Sequence, residues 1–293
     1  MTQQARHAEA LGARLPPLQV AAARVAATVW QGVHGRRRVG VGEGVWQFRP
    51  YLAGDEARRI DWRKSARADA LIVRETEWEA AQTVCLWRDG SPSMHWRSKA
   101  ADVEKVARAE VLLLALAALL LRGGERVRLL GSAQVFSGAG GLDRMAAALS
   151  GSGASLGAED GLPLTTAAVP RHGRVVLIGD FLAPPEAIAA AVGRLAALPT
   201  AGHLLQVLDP AELDLPYRGR VRFTGLEQEV PTLVRRVDGL RGAYAARLAA
   251  QQQHLAGIAA GVGWGFGSHR TDHPPEAALL ALYLALSGER VGR

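Results

Sequence analysis

Residues 89–93 read Asp89-Gly-Ser91-Pro-Ser93, a D-x-S-x-S pattern. A second carboxylate, Asp180, follows the apolar run Val175 to Ile178. Between them lies a loop of small residues, Gly151 to Gly157, that contains Ser155. Carboxylates and hydroxyls are hard oxygen donors. Magnesium takes such donors in near-octahedral geometry and keeps several waters. Ser91 and Ser93 can bind through their hydroxyls, and Asp89 and Asp180 directly or through water. So few direct carboxylates would leave the metal electron-poor and ready for a carboxylate from a partner. The plainer use of Asp89 and the serines is to cap the helix that follows.

A second stretch, residues 51–67, reads Tyr51-Leu-Ala-Gly54-Asp55-Glu-Ala-Arg58-Arg-Ile60-Asp61-Trp62-Arg63-Lys-Ser65-Ala66-Arg67. Asp55 and Asp61 stand among four arginines, Arg58, Arg59, Arg63 and Arg67. Arginine–carboxylate pairs are geometrically demanding. They suit a structural clamp with Trp62 packed behind it, or a docking surface for a partner. Other features carry less. His269 and His273 are followed by Pro274-Pro275 and have no third zinc ligand in view. Gly40-x-Gly42-x-Gly44 falls short of a dinucleotide loop. Cys85 lies in an apolar stretch and reads as a core residue. Ser91 or Ser93 as a nucleophile would need a base, and no histidine is placed by sequence to serve.

The elements that position these residues alternate. Thr83 to Trp87, Arg126 to Leu130, Val175 to Ile178 and His203 to Leu208 read as short strands. Helices are expected over 98–122, 142–149, 184–198, 235–260 and 276–287, and a last strand over 262–267. Residues 211–232 read as polar, strand-like text with a hairpin. Apolar strands joined by amphipathic helices imply an α/β fold, an open, mostly parallel Rossmann-like sheet with helices on both faces. In such sheets ligands bind outside the carboxyl ends of the strands, where Asp89 and Asp180 fall. Residues 1–31 read as helical. Residues 32–80 are rich in Gly, Arg and Trp with strand-like pieces. The expected division is therefore a smaller N-terminal β-rich subdomain at 1–80 and the α/β domain at 81–293.

The 51–67 block resembles the signature of the bacterial family called "domain of unknown function 58", a Y-x-x-G-D-x-x-R-x-I-D-W-x-x-S-A-R run ahead of a von Willebrand factor type A domain. Leu208-Asp209-Pro210-Ala-Glu212 with Leu215-Pro216 is similar to that family's D-P-x-E…L-P segment. The resemblance runs over roughly residues 32–288. It implies that Asp89, Ser91, Ser93, Ser155 and Asp180 form a metal-ion-dependent adhesion site holding Mg2+. Ser155 stands where such sites usually carry threonine, and Arg88 places a positive charge beside the cation. The resemblance also implies a non-enzymatic adaptor that partners a MoxR-type AAA+ ATPase and an acidic side chain of a protein ligand.

Composition narrows the classes. The chain is 48% hydrophobic, which is ample for a packed core and excludes a disordered chain. One cysteine excludes a disulfide-built domain. The longest apolar run, Val111 to Leu121, is about half of the ~20 residues a membrane helix needs. No membrane span and a cytoplasmic location are therefore expected. The net charge is +7. Between Gly32 and Arg74 stand 10 Arg and Lys against 5 Asp and Glu, so +5 of that charge sits in the signature region. Such a stretch suits an acidic protein partner. The alternatives are an arginine-driven nucleic-acid or anionic-surface binding module and, last, a Mg2+-dependent phosphohydrolase, which lacks a phosphate cradle and an obvious base.

Overall fold

The computed structural model describes residues 17–34, 46–52, 55, 57, 60–68, 70–76, 82–138, 140–151, 158–159, 161–163, 169–226 and 230–287. In chain order the elements are α1 (Pro17–His34), β1 (Trp46–Pro50), α2 (Trp62–Ser65), β2 (Ile72–Thr76), β3 (Thr83–Arg88), α3 (Lys105–Arg122), β4 (Arg126–Leu129), β5 (Val135–Phe136) and α4 (Gly141–Gly151). There follow β6 (Ala158–Glu159), β7 (Leu162–Pro163), β8 (Arg174–Gly179), α5 (Pro185–Leu195), β9 (Ala201–Leu208) and α6 (Pro210–Asp214). The last are β10 (Val221–Phe223), β11 (Thr232–Val234), α7 (Arg241–Gly261), β12 (Gly265–Arg270) and α8 (Pro275–Ser287).

The chain divides into two compact units. One is residues 32–81; the other joins 82–293 to the segment that includes residues 17–31 of α1. Residues 17–31 of helix α1 thus group with the larger unit. In the smaller unit β1 and β2 pair antiparallel, Trp46 opposite Thr76 and Pro50 opposite Ile72.

The larger unit is built on a six-stranded sheet in the order β12-β9-β8-β3-β4-β5. Every pairing is parallel except β4 with β5. Strands buried on both faces read as unbroken apolar runs. Val84 through Trp87 of β3 and Val175 through Ile178 of β8 are accordingly buried. Helices α3 and α8 pack on one face, with α4 against α3; α5 and α7 pack together on the other. The run Val111 to Leu121 belongs to α3, most of which is buried. No helix among the described residues is long and apolar enough to cross a membrane.

Several element boundaries differ from expectation for physical reasons. Helix α3 starts at Lys105 rather than near Ser98, because the Ser98 N–H donates to Asp209 Oδ2 at 2.8 Å and the backbone there is not helical. Residues 210–214 form a helix instead of extended text, since Asp209 and Glu212 make a capping box. The last strand is 265–270, three residues later than the apolar pattern suggests. Before it Gly263 turns at φ 74° and Trp264 lies flat over Gly202 on β9. A Cβ at Gly202 would lie 2.3 Å from the Trp264 ring.

On the same edge, burial lowers the His269 imidazole to about 4, with Arg108 and His273 adding to the effect and Asp272 opposing it. The fold holds His269 neutral while the unfolded chain protonates near pH 6.5. The stabilisation is therefore complete above pH 6.5 and is lost as pH falls towards 4, on the order of 3 kcal/mol in all. Urea unfolding at pH 7 and pH 4.5 should show a smaller acid loss for His269→Gln than for the parent; parallel pH profiles would remove His269 from the account.

Candidate functional site at the carboxyl end of the sheet

Strand order sets the site. The chain passes from β3 to its neighbour β4 on one side, then places β8 on the other side of β3. A crevice opens at such a reversal, outside the carboxyl ends of the strands. Asp89 follows β3 directly and Asp180 follows β8 directly. The Asp89 N–H continues the ladder by donating to the Ile178 carbonyl at 2.8 Å. A Cβ at Gly179 would sit 2.8 Å from Asp89 Cβ, so the glycine lets the two strand ends close together. Both carboxylates are about 1% exposed.

The side chains form one connected cluster. Asp89 Oδ1 accepts from the Ser91 N–H at 2.8 Å. The Ser91 and Ser93 hydroxyls are 3.0 Å apart, and Ser93 Oγ donates to Asp180 Oδ2 at 2.7 Å. Four of the five expected ligands are thus brought together, Asp89, Ser91, Ser93 and Asp180. Ser155 lies outside the described residues. The β6–β7 pair does reach the site, because a Cβ at Gly161 would lie 3.3 Å from Asp89 Oδ2. Capping is a minor use of the serines: Ser91 precedes a short 3-10 turn at 92–94 but makes no side-chain cap bond.

The residue that sequence reasoning missed is Lys105, the first of α3. Its ammonium donates to Asp180 Oδ2 at 2.9 Å and to Glu212 Oε1 at 2.6 Å, and its side chain is 1% exposed. Burial alone would depress it, but Asp180 and Glu212 more than offset that and hold it above the ordinary lysine range. Burial pushes the Glu212 carboxyl up, with Lys105 pulling it back. Glu212 Oε2 also accepts from the Asp209 N–H, and its carbonyl accepts from the Tyr244 hydroxyl at 2.6 Å. The available signal was the choice of residue. The chain has three lysines among 35 basic residues, and one of them opens the helix after the D-x-S-x-S stretch.

Arg88 does not leave a bare charge beside the cluster. Its guanidinium pairs with Glu110 on α3 at 2.8 Å and reaches the Asp89 carbonyl at 3.5 Å. Beyond Asp180 the backbone turns left-handed at Phe181, φ 53°, a costly conformation for an aromatic residue. Gln206 Nε2 donates to the Asp180 carbonyl at 3.0 Å and Gln251 Nε2 to the Phe181 carbonyl at 2.8 Å, fixing that turn from β9 and α7. Among the described residues no three of His, Cys, Asp and Glu gather as a metal cluster. Donors here would be two hydroxyls and two carboxylates, a hard set that suits Mg2+.

In the smaller unit the 51–67 block makes local bonds. The Tyr51 hydroxyl donates to the Asp55 carbonyl at 3.3 Å, and the Leu52 N–H to Asp55 Oδ2 at 2.8 Å. Asp61 Oδ1 caps α2 through the Lys64 N–H at 3.0 Å. Ser65 Oγ accepts from the Ile72 N–H at 2.8 Å, tying α2 to β2. Arg63 and Arg67 are exposed. Gly54, Arg58 and Arg59 lie outside the described residues. The expectation that Trp62 packs behind a clamp is corrected: it is 64% exposed. Helix α2 is a single turn with no buried residue, so it has no inner face to cover an indole.

Residues 47–254 match the family model described as "Protein of unknown function DUF58". No curated protein matches the chain. Among solved structures it is similar to the conserved hypothetical protein BatB from Bacteroides thetaiotaomicron, with 17% identity, 71% of this chain and 98% of that chain covered, and a TM-score of 0.42. It is likewise similar to an aerotolerance-related membrane protein from Bacteroides fragilis NCTC 9343, at 15% identity, 71% and 100% coverage and a TM-score of 0.41.

Proposed function

The chain belongs to the DUF58 family, and on that premise we propose that it is a non-enzymatic interaction protein with a von Willebrand factor type A-like domain. Its partner is a MoxR-type AAA+ ATPase, and the pair assembles or remodels other proteins. The contact is a metal-ion-dependent adhesion-type site. The observation that carries this reading is the single hydrogen-bonded cluster of Asp89, Ser91, Ser93 and Asp180 at the sheet's reversal point. When bound there, Mg2+ would supply an electron-poor centre for a partner's carboxylate. The chain's own residues do the rest: Gly179 admits Asp89, Ser93 ties Asp180 to the serine pair, and Lys105 holds the same Asp180 oxygen, Oδ2, from α3. Ser155 completes the proposed ligand set.

The test has two readouts. Mg2+ should raise the thermal midpoint of the parent and not of Asp89→Ala, since a ligand bound to the native state stabilises it by mass action. Asp89→Ala should also abolish capture of the cognate ATPase while leaving the far-ultraviolet spectrum unchanged. Capture that survives both the substitution and a chelator would end the metal-bridge mechanism.

A second reading, an arginine-driven binder of nucleic acid or anionic surfaces, is favoured by one observation. Arg220, Arg222, Arg235 and Arg236, in and around β10 and β11, are exposed and make no ion pair among the described residues. Affinity of that kind falls steeply with salt, and failure to bind an oligonucleotide at low salt would end it.

A further inference from the structure

Next to the site a groove of about 730 Å³ runs between α5 and α7. It begins two residues past Asp180, at Leu182, and Glu212 of the Lys105 pair forms part of its wall. Its lining is mostly aliphatic, with Leu182, Ile188, Leu248, Leu255 and Ile258 prominent. Leu182 is 51% exposed. Along α7 the lining residues Tyr244, Leu248, Gln251, Leu255 and Ile258 recur at three and four residue steps. That is one helix face over 14 residues, about 21 Å at 1.5 Å per residue. A groove of that length between two helices fits an amphipathic helix of four turns, anchored by apolar residues at i, i+4, i+7 and i+11.

Charge fixes the partner's chemistry. The only acidic group on the lining is Glu212, and Lys105 answers it. Arg247 lines the groove and is exposed. The stretch that leads from α6 towards β10 is fastened at the same end of α7. Arg241 donates to the Leu215 and Tyr217 carbonyls at 3.1 and 3.0 Å, one turn from Tyr244. The groove is thus apolar along its floor, and Arg247 is the charged group of its lining that no ion pair among the described residues answers. Aliphatic walls offer little for nucleobases, which stack on aromatic rings.

We propose that this groove binds an acidic amphipathic helix of a protein partner, with its leucine-type stripe on α5 and α7 and its carboxylates towards Arg247. This rests on the reading of the chain as an interaction protein and names a second contact for that partner, independent of any metal.

The probe is a fluorescein-labelled 16-residue peptide with leucines at i, i+4, i+7 and i+11 and glutamates on the opposite face. Controls are a shuffled peptide of equal composition and a 16-nucleotide single strand. By fluorescence anisotropy the patterned peptide should bind the full chain at least tenfold tighter than the shuffled one. Leu248→Glu and the more exposed Leu182→Glu should each weaken it about tenfold, and Arg247→Glu severalfold. A chelator and Asp89→Ala should leave this binding unchanged, so a failed magnesium response with peptide binding retained refutes the metal reading alone. The groove proposal is overturned if the shuffled peptide binds equally, if folded Leu182→Glu binds like the parent, or if the oligonucleotide displaces the peptide.

Discussion

Lys105→Met should cost about 3–5 kcal/mol of unfolding free energy, the range for removing one partner of a buried ion pair. Methionine fills most of the lysine's volume, so little of the loss comes from a void. The cost arises because Asp180 and Glu212 stay in place, at 2.9 and 2.6 Å from an ammonium that has gone. Two carboxylates then face each other across a dry gap. Two checks separate this from general damage to α3. Glu212→Gln added to Lys105→Met should recover part of the loss, since a neutral amide removes one of the two charges. The deficit against the parent should also narrow as pH falls, because burial pushes the Glu212 carboxyl up and, without Lys105 to pull it back, it gains a proton before the carboxyls of the unfolded chain. A loss below about 1 kcal/mol in urea, or a deficit independent of pH, would mean that Lys105 is not the site's internal cation.

Gly202→Ala should cost about 1–3 kcal/mol, the usual penalty for overfilling a packed position. The new methyl would meet three Trp264 ring atoms at 2.3, 2.5 and 2.6 Å. The indole is buried and donates to the Thr200 carbonyl at 3.2 Å, so it cannot swing aside without losing that bond. In a Trp264→Leu background the same change should cost under about 0.5 kcal/mol, because residues in contact couple strongly in double-mutant cycles. Additive costs in the two backgrounds would place the strain elsewhere.

The contrast between β8 and β12 shows what the sequence could reveal. Val175 to Ile178 is buried on both faces, and a strand in that setting must be apolar throughout, so it announces itself. Strand β12 reads Gly-Phe-Gly-Ser-His-Arg and has no such run. It becomes a strand by pairing with β9, Gly265 opposite His203 through Arg270 opposite Leu208, a contact 62 residues away in the chain. Site residues divide in the same way. Asp89 and Asp180 were legible because each ends an apolar strand, and the topology does the rest. Lys105 was not, because a polar residue at the head of a greasy helix is ordinary until β8 and α6 bring two carboxylates to it. The 51–67 block was legible as a motif, but the exposure of Trp62 follows from the shortness of α2, which no motif encodes.

Cys85 lies on β3, one of the two central strands of the six-stranded sheet, between β4 and β8. Burial pushes its thiol up to about 11. The chain therefore carries its own clock. A thiol reagent cannot reach the sulfur until the centre of the sheet parts. The rate at which the lone cysteine is consumed then reports how often the domain breathes open, with no label to attach and no second thiol to confuse the signal.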